Sequence, residues 1–405
     1  SMTIPSAPIR TARANAGKPP VDFWLAPAYL MCNLTMAVND IELQYDLLEN
    51  DFGSCFLANT NELNPSYRQT LRSDCKDKDG WALARQSEYD ALIKNEVWEL
   101  VPDVGQKTIP SGWVQRRKFN SDGTLNKLKA RGVGRGNFQH KDNDIDYDVH
   151  FAPVGRYSSL RKIVADSAKN MALYPGNYDV DQDDVDTAFL YAPITEEVYM
   201  EQLPGFEQFG PNGERMICKL KKSIYGLKQS PRNWNKELHK FLVGYGLQQS
   251  DADPCVYVKP NADPKLPPLV VLIYVDDLVI AGMKDMRADF GAKLENRFSI
   301  KKLGRVHWCL GIEIVYNTDK KGVVTAKMNQ TKYINDLIEK YDMGASSEMS
   351  TPRTKERVVK GEDADLDDQL PEGNLYRNMT GSVMYAAMGT RPDIAEAVGN
   401  LTRNM

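Results

Sequence analysis

The chain has 405 residues, of which 42% are hydrophobic and 26% are charged, with a formal net charge of −4. This length allows two or three subdomains with a sizeable core, and the composition is that of a globular protein. No apolar run is long enough to span a membrane, the N-terminus has no signal-peptide core, and the six cysteines and four histidines lack zinc-ligand spacing. The slightly acidic balance means that a nucleic-acid partner would have to be bound by local basic segments.

Residues 1 to about 70 show little periodicity and are predicted to form an extension with one helix near residues 41–48. From Asp79 onwards apolar residues recur at helical spacing, and a short strand is predicted at residues 97–101. Residues 113–133 are predicted to form a β-hairpin, because Ser121-Asp122-Gly123 is a turn sequence between two strand-like arms.

Cations alternate along the return arm of this predicted hairpin, at Lys127, Lys129 and Arg131. Alternate residues of a strand project from one face, so the three side chains would repel one another unless a polyanion such as a triphosphate lay between them. The alternative is a solvated edge strand with protective lysines.

Acids crowd residues 178–190, a strand-like stretch that follows a helix predicted at residues 157–172. Unpaired acids are costly in a buried strand, so the stretch is either an exposed edge or contributes an acid to a metal site. Residues 219–234 then interleave basic and aromatic side chains, which suits contact with phosphates and bases. The alternative is a solvated basic face with two core aromatics, and a helix is predicted at residues 232–245.

Two apolar runs at residues 269–282 flank the adjacent acids Asp276 and Asp277. The pattern predicts a β-hairpin with both acids at its tip, a rigid platform for a hard divalent cation. The alternative is an ordinary hairpin with a polar turn. Further predicted elements are a helix at 288–298, a strand at 308–314, an amphipathic helix at 333–341, a loop at 353–373 and one or two helices broken at Arg391-Pro392.

Several motifs, in order, resemble those of the reverse transcriptase of Ty1/copia-type LTR retrotransposon polyproteins, from about Trp81 to the C-terminus. They are residues 98–102, 129–131, 151–154, 184–190, 224–232, 274–277, 310–314 and 389–394. The chain departs from the family pattern where Gly132, Gly134 and Asn137 replace apolar or aromatic residues, which predicts a weaker strand there. Asp183 and Asp186 also add negative charge beside the first catalytic motif.

The resemblance implies an α+β fold, the right-hand polymerase fold with fingers, palm and a helical thumb. The implied division is an extension at 1–75, fingers at 76–165 and 194–226, palm at 166–193 and 227–315, and a thumb or connection at 316–405. The chain is expected to lack a ribonuclease H domain of its own.

The resemblance also implies the site. The catalytic and metal-binding candidates are Asp184, Asp276, Asp277 and the Val185 carbonyl, with two Mg²⁺ ions, or Mn²⁺ in their place. The dNTP-binding candidates are Lys129, Arg131, Phe189, Gly226 and Gln229, with Phe189 as the gate against a ribose hydroxyl. The nucleic-acid-binding candidates are Lys221, Lys222, Lys228, Arg232, Gly311 and Glu313.

The implied function is RNA-directed DNA polymerase, acting on an RNA template, a DNA primer and dNTPs, with no membrane partner. The oligomeric state is left open between monomer and homodimer. The expected location is cytoplasmic, within virus-like particles, with a nuclear location left open. Two alternatives remain, a decayed or host-adopted nucleic-acid-binding fragment and a polymerase that prefers a DNA template. The presence of all three acids favours an active enzyme.

Overall fold

The computed structural model describes residues 64–119, 124–139, 152–347, 349, 351–352 and 373–403, which belong to the larger of two compact units of the chain, Tyr45–Met405. The helix predicted near residues 41–48, the turn at 121–123 and nearly all of the loop predicted at 353–373 lie outside these residues. Within the described part of the chain, no helix has both the length and the apolar character needed to cross a membrane.

The secondary structure is mixed, which confirms the α+β class. The α-helices of the described residues are α1 (Tyr67–Thr70), α2 (Lys78–Lys94), α3 (Tyr157–Leu173), α4 (Ser230–Gly244), α5 (Lys284–Arg297), α6 (Thr331–Lys340), α7 (Gly373–Gly389) and α8 (Ala395–Thr402). Short 3₁₀ helices occupy Gly136–Phe138, Ala188–Tyr191 and Pro392–Ile394.

The strands of the described residues are β1 (Trp98–Pro102), β2 (Thr108–Ile109), β3 (Ser111–Phe119), β4 (Leu125–Gly134), β5 (Tyr178–Val185), β6 (Tyr199–Met200), β7 (Met216–Leu220), β8 (Gln248–Gln249), β9 (Val256–Lys259), β10 (Leu269–Tyr274), β11 (Asp277–Met283), β12 (Ile300–Arg305), β13 (Trp308–Cys309), β14 (Ile312–Thr318) and β15 (Val324–Asn329). Most predicted elements that fall within the described residues are confirmed with small changes at their ends; α5, for example, begins at Lys284 rather than at residue 288.

A six-stranded sheet in the order β12-β5-β11-β10-β9-β8 carries the acidic strand and the acidic hairpin side by side. The strands β10 and β11 are apolar and almost wholly buried, because α3 packs against β5, β10 and β11 while α5 packs against β11. At the turn end of this sheet, Trp234 of α4 packs edge-to-face on Phe298, with ring centroids 5.3 Å apart. The hairpin therefore has a rigid support.

A second layer joins the cationic hairpin β3–β4 to a four-stranded sheet, β1-β7-β6-β2. The helix α2 lies along β4, and its Leu92 belongs to a core that also contains Trp98, Trp113 and Leu203. This core holds the hairpin β3–β4 against α2 and the four-stranded sheet.

The glycines of β4 fit this packing, and whether they weaken the strand remains a prediction. A Cβ on Gly132 would lie 2.7 Å from Leu203 Cδ1, and one on Gly134 would lie 3.0 Å from Leu227 Cδ2. Neighbouring leucines occupy the space that side chains would need, and β4 pairs with β3 along its length. Glycine in a strand commonly marks such a close approach.

The segment predicted as a single strand at residues 308–314 is instead a tight hairpin, β13 and β14, and that prediction was wrong. Leu310 (φ 52°) and Gly311 (φ 67°) form its two-residue turn in the left-handed region, which glycine favours. The Tyr385 hydroxyl of α7 donates to the Leu310 carbonyl. The C-terminal helices are therefore tied to this turn. The division into fingers, palm and thumb remains a prediction.

Candidate active site

Strand pairing brings the acids together. Asp184 of β5 lies directly opposite Asp277 of β11, and Lys301 of β12 lies opposite Asp184 on its other side. Directly opposed residues of antiparallel strands share a face of the sheet, so these three side chains form one cross-strand row. The Val185 N–H donates to the Asp276 carbonyl at 3.0 Å, which adds Asp276 to the group.

The hairpin turn consists of Val275 and Asp276, so the prediction that both acids occupy the tip was wrong in part. Asp277 is already in β11, paired with Tyr274. Val275 has φ +56°, a left-handed conformation that is strained for a β-branched residue and costs on the order of 1–3 kcal/mol. The Trp234 indole N–H donates to the Val275 carbonyl at 2.8 Å and helps to hold this conformation.

Asp276 is buried, and its Oδ1 has no hydrogen-bond partner among the described residues. Burial, aided by the nearby acids Asp184 and Asp277 and opposed by Arg131, raises the pKa of Asp276 to about 7. Burial and the neighbouring Asp186 likewise raise the pKa of Asp184. Such raised pKa values indicate carboxylates whose negative charge an added cation would stabilise.

The remaining acids of β5 project from the face of the sheet opposite to Asp184. Asp183 lies opposite Leu278 and therefore projects from the other face of the sheet. Asp179 forms an ion pair with Arg305 at 2.5 Å, and Asp181 forms one with Arg287. The Gln182 side chain, on the Asp184 face, donates to Asp277 Oδ1 at 3.4 Å.

Cations of β4 are close enough to these acids to interact with them electrostatically. Burial lowers the pKa of Lys129, while Glu88, Asp184 and Asp276 raise it, which places the ammonium within electrostatic range of both acids. The Arg131 guanidinium carbon lies 4.1 Å from the centroid of the Tyr225 ring. A cation at this distance over an aromatic face is attracted to it.

Phe189 and Gly226 flank the same tyrosine. Phe189 is 1% exposed and packs edge-to-face on Tyr225, with ring centroids 4.9 Å apart. Thr187, at φ +53°, turns the chain from β5 into the 3₁₀ helix that carries Phe189. Gly226 has φ +97°, and its carbonyl accepts from the Gly136 N–H at 3.0 Å.

Two buried glutamines form a network at the start of α4. The Gln139 side chain accepts from the Lys228 backbone N–H and donates to Gln229 Oε1, both at 3.0 Å. The Lys228 ammonium donates to the Gln139 carbonyl at 2.8 Å. Lys228 is thus drawn to the main chain rather than directed to solvent.

The other nucleic-acid candidates are spread over several elements of the chain. Lys221 is exposed and forms an ion pair with Glu99 at 2.9 Å, whereas Lys222 and Arg232 are half-buried. Gly311 lies at the β13–β14 turn, and Glu313 accepts from the Asn329 amide at 2.8 Å.

Three residues near the site were missed from the sequence. Glu88, Trp234 and Gln139 each contact or neighbour a candidate residue. Glu88 was detectable in principle, because it continues the buried stripe of Trp81, Arg85 and Leu92 on α2. The contacts of Trp234 and Gln139 link segments far apart in the chain, and no local pattern indicates them.

The donor set fits a divalent cation. Hard cations take carboxylate oxygens, and the site offers three aspartates, of which Asp276 has a buried oxygen with no hydrogen-bond partner among the described residues. As the side chains stand in the described part of the chain, no group of three or more His, Cys, Asp or Glu side chains is arranged to hold a metal ion.

The chain is similar to proteins of known class. A family profile described as reverse transcriptase (RNA-dependent DNA polymerase) matches residues 95–355. The retrovirus-related Pol polyprotein from transposon TNT 1-94 of Nicotiana tabacum is 35% identical over 79% of this chain and 23% of that protein. The Pol polyprotein from transposon RE1 of Arabidopsis thaliana is 34% identical over 80% of this chain and 21% of that protein.

A more distant relative is the transposon Ty1-BR Gag-Pol polyprotein of Saccharomyces cerevisiae, 26% identical over 83% of this chain and 19% of that protein. The chain thus spans about a fifth of the length of the curated relatives it matches. A solved structure of a foamy viral protease-reverse transcriptase in complex with double-stranded DNA aligns with 80% of this chain and 44% of that chain, at 11% identity and a TM-score of 0.38.

Proposed function

Because the chain belongs to the reverse transcriptase (RNA-dependent DNA polymerase) family found in Ty1/copia-type Pol polyproteins, we propose that it is an RNA-directed DNA polymerase of a copia-like retroelement. It extends a primer 3′-hydroxyl with dNTPs, copying an RNA template. The observation that carries the proposal is the acid group Asp184, Asp276 and Asp277 facing the β4 cations Lys129 and Arg131.

Two Mg²⁺ ions, or Mn²⁺ ions, would be held by the carboxylates of Asp184, Asp276 and Asp277 and by the Val185 carbonyl. When bound, such a metal pair activates the attacking oxygen and stabilises the leaving one. Asp276 contributes the oxygen that has no hydrogen-bond partner in the described part of the chain. The strained turn at Val275 keeps the Asp276 carbonyl beside the Val185 N–H.

The chain's own side chains bind and orient the nucleotide. Lys129 and Arg131 pair with triphosphate oxygens, which are the acceptors that ammonium and guanidinium groups prefer. The Tyr225 ring under Arg131 limits the directions that its guanidinium can take. Phe189, packed on the other side of Tyr225, restricts the space at the sugar.

The template and primer contact the basic and turn residues around this site. Arg232, Lys222 and Lys228 supply positive charge near the start of α4, and Lys221 adds a phosphate contact when its exposed ion pair opens, since such pairs contribute little. The Gly311 turn and Glu313 lie on the hairpin that would meet the primer, while Gly226 and Gln229 meet the nucleotide or template.

Primer extension on matched RNA and DNA templates tests the proposal. With poly(rA)/oligo(dT), Mg²⁺ and dTTP, the chain should incorporate dTMP, and Asp276→Asn should lower the rate by at least about 10³-fold because a metal ligand is lost. Asn has nearly the shape of Asp, so the thermal midpoint should not fall.

A wild-type chain that binds the duplex but never extends it would support a decayed binding fragment instead. Extension on poly(dA)/oligo(dT) alone would support a DNA-templated polymerase. An Asp276→Asn variant that extends at the normal rate would show that the metal site lies elsewhere.

A further inference from the structure

The fully buried side chains of Gln139 and Gln229 point to a positioning role that nothing in the sequence motifs assigns. The two residues are 90 positions apart in the chain, yet Gln139 Nε2 lies 3.0 Å from Gln229 Oε1. The inference rests on the proposed function, because it concerns how the site binds the incoming nucleotide.

The orientation of the Gln139 amide is fixed by the main chain. The backbone N–H of Lys228 can only donate, and it lies 3.0 Å from the Gln139 side chain, so the atom that it meets must be the amide oxygen. The NH₂ group of Gln139 is then the atom that meets Gln229. Since an NH₂ group only donates, Gln229 must present its oxygen there. One backbone donor thus determines two side-chain orientations in series.

The consequence is an unused donor on Gln229. Its NH₂ group is buried and has no hydrogen-bond partner among the described residues. A buried donor without an acceptor is unfavourable, and native proteins seldom keep one without a reason. A ligand that brings an acceptor oxygen removes this cost.

The location of this donor indicates which ligand it would meet. The N–H groups of Gly134 and Gly136 donate to the carbonyls of Tyr225 and Gly226, at 2.9 and 3.0 Å, so the segment after β4 runs beside the turn before α4. A Cβ on Gly136 would lie 2.1 Å from the Gly226 carbonyl oxygen, so only glycine permits this approach. Tyr225, whose carbonyl accepts from Gly134, also has the Arg131 guanidinium carbon 4.1 Å from its ring centroid, so this turn adjoins a proposed triphosphate-binding side chain.

We propose that Gln139 is a positioning residue that holds Gln229 as a hydrogen-bond donor toward an acceptor oxygen of the incoming nucleotide. Gln139 does not touch the nucleotide; it sets which end of the Gln229 amide the nucleotide meets.

Two substitutions at Gln139 separate this role from simple structural support. In Gln139→Glu, the new carboxylate still accepts from the Lys228 N–H but cannot donate to Gln229, so Gln229 turns its NH₂ inward and offers its oxygen to the nucleotide. In Gln139→Met, the Lys228 N–H loses its acceptor, but Gln229 is unconstrained and can still donate.

The measurement is the KM for dTTP on poly(rA)/oligo(dT) at about pH 8.5, well above the usual carboxyl pKa of about 4.3. We expect Gln139→Glu to raise KM about tenfold, and Gln139→Met about threefold or less, since a reversed hydrogen bond costs more than a loosened one. The kcat should change less than KM in both variants. Asn137→Asp, an exposed amide-to-acid change two residues away, controls for added charge and should leave KM unchanged.

A wild-type KM in Gln139→Glu, a larger KM effect in Gln139→Met, or an equal effect in Asn137→Asp would overturn the proposal. So would KM values that simply follow the thermal midpoints of the variants. If the wild-type chain incorporates no dNTP at all, the proposed function fails instead, and a second measurement still tests the glutamine network.

That second measurement is the NMR signal of the Gln229 side-chain NH₂, identified by its loss in Gln229→Leu. In the wild-type chain this NH₂ group has no acceptor among the described residues, whereas in Gln139→Glu it donates to a carboxylate, so its proton resonances should move downfield. Unmoved resonances would contradict the inferred reorientation whatever the polymerase activity.

Discussion

The two faces of strand β5 carry the same kind of residue in different circumstances. On one face, Asp179 and Asp181 form ion pairs with Arg305 and Arg287. On the other, Asp184 lies opposite Asp277, another acid, and next to the buried Asp276. On the first face, Asp179 and Asp181 each have an arginine partner, whereas the second face brings three acids together opposite Lys301 of β12 and near the β4 cations Lys129 and Arg131.

This difference distinguishes the acids that stabilise the fold from the acids that are positioned to bind a ligand. Acids that are neutralised by neighbouring arginines are explained by folding alone. Acids held against one another with raised pKa values are unfavourable in the protein by itself, as expected for groups that await a cation. Asp183 is intermediate, because it is buried on the paired face and lies between Leu278 of β11 and Lys302 of β12.

The largest expected effect comes from substituting neighbouring acids on the two faces of β5. Asp184→Asn should lower dTMP incorporation by at least about 10³-fold, because it removes a metal ligand. Asp183→Asn, the adjacent residue on the other face, should leave the rate within about threefold, because a side chain that projects away from the metal site cannot ligate it. Steady-state primer extension with both variants measures this contrast, and equal losses would show that the face of the strand does not decide the role.

Part of this contrast could be predicted from the sequence. Alternation along a strand separates Asp179, Asp181 and Asp183 from Asp184, but it does not tell which face meets the hairpin. That choice depends on the pairing of Asp184 with Asp277, a contact between distant segments. Here the resemblance to known reverse transcriptases favoured Asp184, and the strand register is consistent with that assignment.

Other parts of the structure were beyond local pattern. The turn at Leu310 and Gly311 lies within an apolar run that is typical of one continuous strand, and only the left-handed backbone reveals it. The fit of Gly132 depends on Leu203, far away in the chain. Long-range packing decided both cases.

A second test concerns stability on the paired face. Burial raises the pKa of Asp183 to about 6, so the folded protein binds this proton more tightly than the unfolded chain does. The stability that this carboxyl group contributes is therefore fully present below about pH 4. It is lost as the pH rises through about 6. Asp183→Asn removes that loss, and urea unfolding should find the variant about 1–3 kcal/mol more stable than wild type at pH 7.

The two proteins should become equal in stability at about pH 4, where the wild-type carboxyl is protonated when folded. A variant that is less stable at pH 7 would mean that the Lys302 attraction outweighs the cost of burial.

A third test concerns Phe189, which follows β5 in the chain and packs on Tyr225. Phe189→Val opens space beside the sugar, and we expect the ratio of UTP to dTTP incorporation to rise about tenfold, the scale on which one steric contact discriminates. Leu190→Val, a buried neighbour of the same 3₁₀ helix, is the matched control for lost packing. Unchanged sugar discrimination in Phe189→Val would leave this side chain as core packing only.

The smallest expected effect belongs to the ion pairs. Asp179→Asn breaks the contact with Arg305, whose side chain is 55% exposed, so the unfolding free energy should fall by only about 0.5–1 kcal/mol. The polymerase rate should not change. The loss should shrink in 1 M salt, where the Debye length is about 3 Å. A double-mutant cycle with Arg305→Gln isolates the pair from other contacts of either residue. If Asp179→Asn instead reduced incorporation as strongly as Asp184→Asn while leaving stability intact, the paired face would belong to the catalytic site, and charge balance would not be a guide to function in this sheet.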